Sequence, residues 1–246
     1  MEVADEEPIL AAVGVRKRFG ALAVLDGVDF GLRPGEAVGI VGPNGAGKTT
    51  LLNVLAGSLR PSEGSVRFHG ADVSRVSSAR RCSLGIGRAH QIPRPFGDMT
   101  VFENVFVGAA TGGGLRGQQA YDRCIDVLER CGLVDVANRR AESLGLLHRK
   151  RLELARALAT GPEVLLLDEI GGGLTDAEAG ELVETISGLR ERGVAIVWIE
   201  HIVHVLLRVV ERLVCMDAGR VIADGDPAAV MKDAAVIDAY LGSNAP

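Results

Sequence analysis

A single glycine-rich motif limits the fold of this chain more than any other feature. It fits the pattern GxxxxGK[ST] and reads Gly42-Pro43-Asn44-Gly45-Ala46-Gly47-Lys48-Thr49, followed by Thr50. A buried strand is predicted before it over Val38–Val41, and an apolar helix is predicted after it. Backbone N–H groups of such a loop and the N-terminus of the helix bind phosphate oxygens, and the lysine reaches a β or γ oxygen. The motif therefore predicts a phosphate-binding turn, whereas an ordinary glycine-rich turn would need neither Lys48 nor the flanking elements.

Two later apolar runs also end abruptly at polar residues. They are Val164–Leu167 and Val194–Ile199, and their lack of alternation predicts strands buried on both faces. Between them, a capping box of Thr175 and Glu178 starts a predicted helix that runs to Arg192. Strand, helix and strand in this order predict a parallel sheet, whose ligands bind at the carboxyl ends of its strands. The residues at those ends are Gly42, Asp168, Glu169, Glu200 and His201.

The rest of the chain shows two further patterns, one typical of short strands and one typical of helices. Ile9–Val15, Val24–Phe30 and Ser65–Phe68 are short β candidates between turn signals, so we expect an antiparallel β layer beside the parallel sheet. From residue 88 to residue 147 the pattern is mostly helical, which predicts an inserted helical subdomain. The predicted fold class is α/β, with a mostly parallel core sheet, a flanking antiparallel β layer and the helical insert in one domain over residues 1–246.

Composition excludes several classes of protein. The formal net charge is −5, from 27 Lys and Arg against 32 Asp and Glu, so no general cationic field attracts nucleic acid or an anionic membrane surface. The acidic start Met1–Pro8 is unlike a secretory signal, and no apolar run approaches the ~20 residues that span a bilayer. The four cysteines lack metal-type spacing and are interpreted as reduced packing residues.

Three side chains at the predicted sheet edge suit hydrolysis. Asp168 is placed to hold Mg²⁺ through its water shell, and Glu169 can accept the proton of an attacking water or orient that water. His201 would lie within reach of a γ-phosphate or of the group that holds the water. The alternatives are structural: an acidic pair at a strand end can simply cap the next helix, and a strand-end histidine can simply pack.

Together these segments resemble the ATP-binding subunit of an ABC transporter. The resemblance runs from Val13 to Leu241. The glycine-rich loop corresponds to Walker A, the run ending in Asp168-Glu169 corresponds to Walker B with its glutamate, and Ile199-Glu-His201 corresponds to the histidine switch. The P-loop NTPase core is therefore the fold that the resemblance implies.

The resemblance also implies ATP and Mg²⁺ as cofactors and assigns roles to single residues. The catalytic residues would be Lys48, Glu169 and His201, and the metal ligands would be Thr49, Gln91 and Asp168. Phe19 would stack on adenine, and Gln91 in the Q-loop would sense the transport channel. The most similar pattern is that of the branched-chain amino acid importers, suggested by Gln91 before Phe96-Gly-Asp-Met-Thr-Val, by Ile199-Glu-His201 and by the ending Tyr240-Leu-Gly242.

One segment departs from the family pattern. Where the family has the signature LSGGQ, this chain reads Leu144-Gly145-Leu146-Leu147-His148. In the family, the signature of one ATPase subunit contacts the γ-phosphate that the Walker A loop of the other subunit binds. Gly145 removes a hydroxyl donor, and the two leucines add bulk where backbone should approach phosphate. Loss of one such donor costs about 3 kcal/mol, a hundredfold or more in rate.

The departure favours an asymmetric pair of ATPase subunits. A mate's signature would complete this chain's Walker A, Glu169 and His201, whereas the altered signature would cover the mate's nucleotide. A homodimer would have two poor sites, while a heterodimer with a standard mate would keep one good site. Arg149–Arg151 could replace the lost donors, although such a basic run is more often a solvated helix face. Gly171–Gly173 would loosen the loop that contacts the mate.

The predicted function is to bind and hydrolyse MgATP so that closure and opening of an ATPase pair drive transport. Expected partners are a second ATPase subunit, transmembrane permease subunits that contact the region Gln91–Asn104 and, indirectly, a solute-binding protein, with no nucleic acid. The expected location is peripheral, at the cytoplasmic face of the cell membrane. By resemblance, the solute is a branched-chain or other hydrophobic amino acid or a related small solute. The rival interpretations are a nucleotide-binding regulatory subunit with little turnover and a soluble ABC ATPase outside transport.

Overall fold

Two β-sheets organise the computed structural model of this chain, which describes residues 7–242. Most of the acidic start Met1–Pro8 lies outside the described residues. The strands are β1 (Leu10–Phe19), β2 (Leu22–Leu32), β3 (Ala37–Val41), β4 (Glu63–Phe68), β5 (Ala71–Asp72), β6 (Ile86–Ala89), β7 (Val164–Asp168), β8 (Ala195–Ile199), β9 (Arg212–Asp217) and β10 (Arg220–Gly225). One sheet has the order β2-β1-β4-β5, and the other has the order β10-β9-β3-β8-β7-β6.

The larger sheet is parallel from β9 to β6, and β10 joins its edge in the antiparallel direction. Every residue of β3, β7 and β8 is buried, as the apolar runs predict. Val38 and Ile40 face a core that includes the smaller sheet, whereas Ala37 and Val41 face a core formed mainly with the helices. The carboxyl ends of β3, β7 and β8 therefore meet at one edge, between two packed layers.

Strand β6 has no counterpart among the predictions, because its sequence Ile-Gly-Arg-Ala contains no apolar run. It pairs in parallel with β7, with Ala89 opposite Leu167. The central sheet, rather than the helical insert predicted over residues 88–147, thus holds Arg88 and Ala89. Gly87 fits here because a Cβ at this position would lie 3.0 Å from the Pro162 ring.

The smaller sheet is antiparallel and forms the predicted β layer beside the parallel core. Strands β1 and β2 run longer than predicted and pair from Leu10 with Leu32 to Phe19 with Leu22. Leu10, Val15, Leu25 and Leu32 are almost completely buried between this layer and the larger sheet. The layer thus closes one face of the sheet that carries the glycine-rich loop.

The helices are α1 (Lys48–Leu55), α2 (Ser78–Leu84), α3 (Val101–Val107), α4 (Gln118–Arg130), α5 (Leu146–Ala159), α6 (Asp176–Arg190), α7 (Val203–Leu206), α8 (Pro227–Val230) and α9 (Ala234–Gly242). The predicted capping box forms at the start of α6, where the Thr175 hydroxyl accepts from the Glu178 N–H and the Glu178 carboxylate accepts from the Thr175 N–H. Helix α5 extends well beyond residue 147, the predicted end of the helical insert.

The helical insert packs as α3, α4 and α5 around one apolar core. Val105, Cys124, Leu128 and Leu152 belong to this core. None of the described helices is long and apolar enough to cross a bilayer. The four cysteines are free, and burial raises the pKa of the Cys131 thiol to about 12, which suits the predicted packing role.

Candidate nucleotide-binding site

The glycine-rich loop lies between the carboxyl end of β3 and the start of α1. Gly42 has φ +139°, and a Cβ there would lie 2.0 Å from the carbonyl oxygen of Met216. Gly47 has φ +100°, and its Cβ would lie 2.8 Å from the carbonyl oxygen of Val24. Both positions therefore require glycine for backbone conformation and for space. The loop leaves the N-terminus of α1 open toward a ligand.

Lys48 turns back over the loop. Its ammonium donates to the carbonyl oxygens of Gly42 at 2.6 Å and of Pro43 at 2.9 Å. Burial lowers the pKa of this ammonium, while the charges of Glu169 and Asp168 act in the opposite direction. The lysine is thus a nearly buried cation held at the mouth of the loop, where it can bind a phosphate group.

A hollow lies beside the loop, and several predicted site residues line it. Its lining consists of Val24, Asn44, Gly45, Ala46, Gly47, Lys48, Thr49, Thr50 and Glu169. Phe19, predicted to stack on adenine, is not among these lining residues. Its ring is exposed at the end of β1, and the Lys17 ammonium lies 5.0 Å from the ring centre. The adenine-stacking role of Phe19 stays a prediction.

The Glu169 side chain contacts two other predicted site residues, His201 and Gln91. Its carboxylate Oε1 lies 2.7 Å from Nε2 of His201, and its Oε2 accepts a hydrogen bond from the side-chain amide of Gln91. Its backbone adopts φ +47°, a left-handed conformation that is uncommon outside glycine. The Glu169 N–H donates to the carbonyl of Ile199, which fixes this conformation next to β8. Backbone strain at such a residue is a feature of functional sites.

Asp168 ends β7 beside Glu169 and is the best candidate for a metal ligand. Its carboxylate is buried and lies near a hollow lined by His90, Gln91, Ile92 and Arg94. Among the described residues, no cluster of three or more His, Cys, Asp or Glu side chains could hold a metal ion by itself. The donor set of one carboxylate, the Thr49 hydroxyl and the Gln91 amide fits Mg²⁺ when phosphate oxygens and water complete the shell.

Glu200 supports the loop that follows Glu169. Its carboxylate is 2% exposed, and it accepts hydrogen bonds from the N–H groups of Gly171 and His201 at 3.0 and 2.9 Å. A Cβ at Gly171 would lie 2.8 Å from this carboxylate, so a side chain there would displace the carboxylate from its present position. At this position the predicted loose loop is anchored to the sheet edge.

The sequence patterns missed the role of Lys150. It is 4% exposed and donates to the Gln91 carbonyl at 3.2 Å. Burial lowers the pKa of its ammonium, and the charges of Glu200 and Glu169 oppose that shift. The signal was its spacing in α5, three and four residues before the buried Glu153 and Leu154.

The other two cations of the basic run also bind within the chain. Arg149 donates to the carbonyl of Glu142 at 2.8 Å, and Arg151 pairs with Glu181 at 2.6 Å. Arg151 and Lys150 are thus not part of a fully solvated helix face, which was the commoner interpretation of this run. No hydrogen bond of these three side chains reaches the residues that line the glycine-loop hollow.

The segment predicted to be an altered signature lies at the start of α5. Leu144 is buried, Gly145 is the N-cap in an extended conformation, and no side chain caps the helix. Leu146 is 44% exposed, and its Cδ2 lies 3.3 Å from the position that a Cβ on Gly173 would take. Leu147 and His148 are half-buried. This segment therefore presents Gly145 and the leucine side chain of Leu146 at the surface, without a hydroxyl donor.

Comparison with known proteins identifies the family. The family model described as ABC transporter matches residues 25–171, from β2 to just beyond Glu169. The chain belongs to the ABC transporter ATP-binding family. A second model, described as branched-chain amino acid ATP-binding cassette transporter, matches residues 220–246. The resemblance predicted from the motifs is confirmed, and with it the ATP-hydrolysing class of the protein.

The ABC subunit has relatives that match it along nearly its whole length. It is 37% identical over 251 residues to the high-affinity branched-chain amino acid transport ATP-binding protein LivG of Escherichia coli K12, covering 96% of this chain and 98% of that protein. It is 33% identical over 250 residues to BraF of Pseudomonas aeruginosa, a protein with the same description, with coverage of 96% and 98%.

Solved structures confirm the ABC ATPase fold. A nucleotide-free ATP-binding cassette from an ABC transporter matches with a TM-score of 0.85 and 30% identity, covering 94% of this chain and 98% of that one. The ADP conformation of an ATP-binding cassette matches with a TM-score of 0.85 and 30% identity, covering 95% and 98%. The α/β class, the P-loop core and the antiparallel layer are therefore as predicted.

Proposed function

We propose that this chain binds and hydrolyses MgATP to energise an importer of branched-chain or other hydrophobic amino acids or related small solutes. The observation that carries the proposal is the contact of Glu169 with both His201 and Gln91 beside the glycine-rich loop. A protein that only stores nucleotide needs neither a proton acceptor nor a γ-phosphate sensor. The similarity to LivG and BraF along the whole chain supports the solute class.

The roles within the site follow from position and charge. Lys48 and the N–H groups of the loop bind the phosphates, and Glu169 orients or deprotonates the attacking water. His201 holds the Glu169 carboxylate from one side and Gln91 holds it from the other, so its position responds to both. When bound, Mg²⁺ would neutralise developing charge on the phosphates, with Thr49, Gln91 and Asp168 as its protein ligands.

The proposed surface for a transmembrane permease lies beyond Gln91. Ile92, Phe96 and Met99 are exposed apolar side chains in this segment. The Arg156 guanidinium lies 4.9 Å from the centre of the Phe96 ring and also pairs with the Glu153 carboxylate at 3.2 Å. Apolar residues with a mixed-charge border suit a cytosolic helix of a permease. The chain would then be peripheral at the cytoplasmic face of the membrane, with a solute-binding protein as an indirect partner.

The proposed assembly is an asymmetric pair with a different ATPase subunit. The exposed Leu146 and the missing hydroxyl at Gly145 support it, because both weaken the half-site offered to a mate. The intact residues around Lys48 and Glu169 support a working site on this chain when a mate supplies a standard signature.

Reconstitution with the ATPase and permease subunits encoded next to this chain in the genome tests the proposal. We expect Glu169→Gln to lower ATP turnover of the complex by about a hundredfold, with ATP binding kept, because only the proton acceptor is removed. Glu163→Gln, the same change at the other end of β7 on an exposed residue, is the matched control. Unchanged turnover in Glu169→Gln would support the regulatory subunit instead. Failure to co-purify with any multi-span protein would support a soluble ABC ATPase.

A further inference from the structure

The carboxylate of Asp168 forms an ion pair with the guanidinium of Arg88. Arg88 donates through Nη2 to Oδ2 of Asp168 at 2.9 Å. The two side chains are only 12% and 7% exposed, so water screens the pair little. The arginine comes from β6 and the aspartate from the adjacent β7, which makes the pair part of the sheet rather than of a surface loop.

A second contact fixes the guanidinium on its other side. Nη1 of Arg88 donates to Oδ1 of Asn53 at 2.6 Å. Asn53 lies in α1, the helix that starts at Lys48, so Arg88 bridges the phosphate-loop helix and the Walker B carboxylate. Its Nε is buried without a hydrogen-bond partner among the described residues. Burial of that atom is unfavourable, and the ion pair and the Asn53 contact offset it.

We propose that Arg88 is a built-in counter-ion of Asp168 that competes with magnesium for the charge of this carboxylate. The inference rests on the magnesium site of the proposed function. A guanidinium cannot lose its proton in a protein, so the positive charge beside Asp168 is permanent. A fixed cation next to a metal ligand repels a divalent ion, most strongly where water is excluded.

The consequence is that Mg²⁺ does not bind before the nucleotide. Asp168 neutralised by Arg88 recruits little Mg²⁺ alone, so the ion binds together with the phosphates, whose negative charge outweighs the guanidinium. Arg88 is in this sense a positioning residue: it touches Asp168 and Asn53 rather than the reacting atoms. It also leaves Oδ1 of Asp168 as the oxygen that can face the ion or its water shell.

The test compares ADP affinity with and without Mg²⁺, measured by calorimetry on the full chain. We expect the gain in affinity from Mg²⁺ to be about tenfold larger in Arg88→Met than in the unmodified protein, because removal of the cation strengthens the attraction for the ion. Arg88→Gln should behave in the same way, and its amide can still donate to the buried carboxylate, which protects folding. Arg88→Lys keeps the charge and should stay within about threefold of the unmodified ratio.

A second measurement uses Mg²⁺ alone. Thermal unfolding of the neutral variants should shift upward on adding Mg²⁺ without nucleotide, while the unmodified protein should shift little, because only the variants leave Asp168 without a counter-ion. Equal Mg²⁺ effects in the unmodified protein and both neutral variants would overturn the counter-ion role and leave the magnesium site intact. No Mg²⁺ effect on ADP binding in any of them would remove the magnesium site itself, and the counter-ion role with it.

Discussion

Helices α1 and α5 of this ABC subunit begin with first turns of opposite character. Helix α1 follows a loop whose Gly47 N-cap is left-handed and whose lining consists largely of loop residues. Helix α5 follows the extended N-cap Gly145, and its first residue Leu146 is an exposed leucine. The first N-terminus is prepared for an anion, whereas the second carries an exposed apolar side chain in its first turn.

The fold requires glycine in the loop before α1 but does not require it at the start of α5. Gly42 and Gly47 are required, since a Cβ at either position would collide with backbone oxygens. Gly145 is not required, because a Cβ there would meet nothing within 4 Å. Its φ of −67° also suits any residue. Serine would therefore fit at position 145. Steric constraints do not explain why this chain departs from the family pattern there.

Removal of the loop lysine should have the largest effect. Lys48→Ala removes a nearly buried cation that no other side chain in the hollow's lining replaces. We expect the Kd for ATP to rise by about a hundredfold, because a charge-assisted contact to phosphate is lost. Fluorescent-nucleotide titration measures this. Lys232→Ala, on an exposed lysine, is the control. A rise below about threefold would contradict the central role of the loop.

Restoring the signature should have the next largest effect. The triple change Gly145→Ser, Leu146→Gly and Leu147→Gly gives back a hydroxyl donor and lets backbone approach phosphate. We expect the purified chain alone to hydrolyse ATP about tenfold faster, since identical copies would then complete each other's sites. Steady-state phosphate release measures the rate.

The restored signature needs one control for its new serine and one for its lost leucine side chain. Gly188→Ser adds the same side chain where a Cβ also meets nothing within 4 Å. Leu146→Ala alone reports the loss of the leucine side chain next to Gly173. If the triple variant is no faster than these two, the altered signature does not limit turnover, and the asymmetric pair loses its main support.

Lys150 offers a way to sharpen the same comparison, because it connects α5 to the site of its own chain. Lys150→Met removes the donor to the Gln91 carbonyl and the positive charge near Glu169 and Glu200. We expect turnover in the assembled complex to fall about fivefold, with nucleotide affinity kept within about twofold, because the contact acts on the Q-loop and not on the phosphates. Arg149→Met, in the same helix turn but exposed, is the control. An equal loss in both variants would assign the effect to α5 stability.

Sequence patterns predicted the elements that local composition determines and missed the contacts that join distant segments. The loop, β3, β7, β8 and the Thr175 capping box follow from short runs of residues. Strand β6 was missed, since its Ile-Gly-Arg-Ala sequence becomes a strand only by pairing with β7.

The same limit applied within the site. Asp168, Glu169 and His201 could be predicted because each follows an apolar run. The left-handed backbone of Glu169 depends on its hydrogen bond to Ile199 in another strand. Arg88 and its two partners lie on three separate elements, so no spacing in the sequence connects them. Pairing across the sheet, rather than local preference, decides these features.

The smallest predicted effect concerns support of the loop from the far end of the chain. The Tyr240 hydroxyl in α9 accepts from the Gly42 N–H at 2.9 Å, so the last described helix stabilises the loop before α1. Tyr240→Phe keeps the ring but leaves that N–H without this acceptor, and we expect the Kd for ATP to rise about threefold. Calorimetric titration measures it, with Tyr121→Phe as the control on a half-exposed ring of the helical insert. Because this contact is made to the loop before α1, the effect should be the same in the restored-signature background. An effect that disappears there would mean that α9 supports the dimer surface instead of the loop.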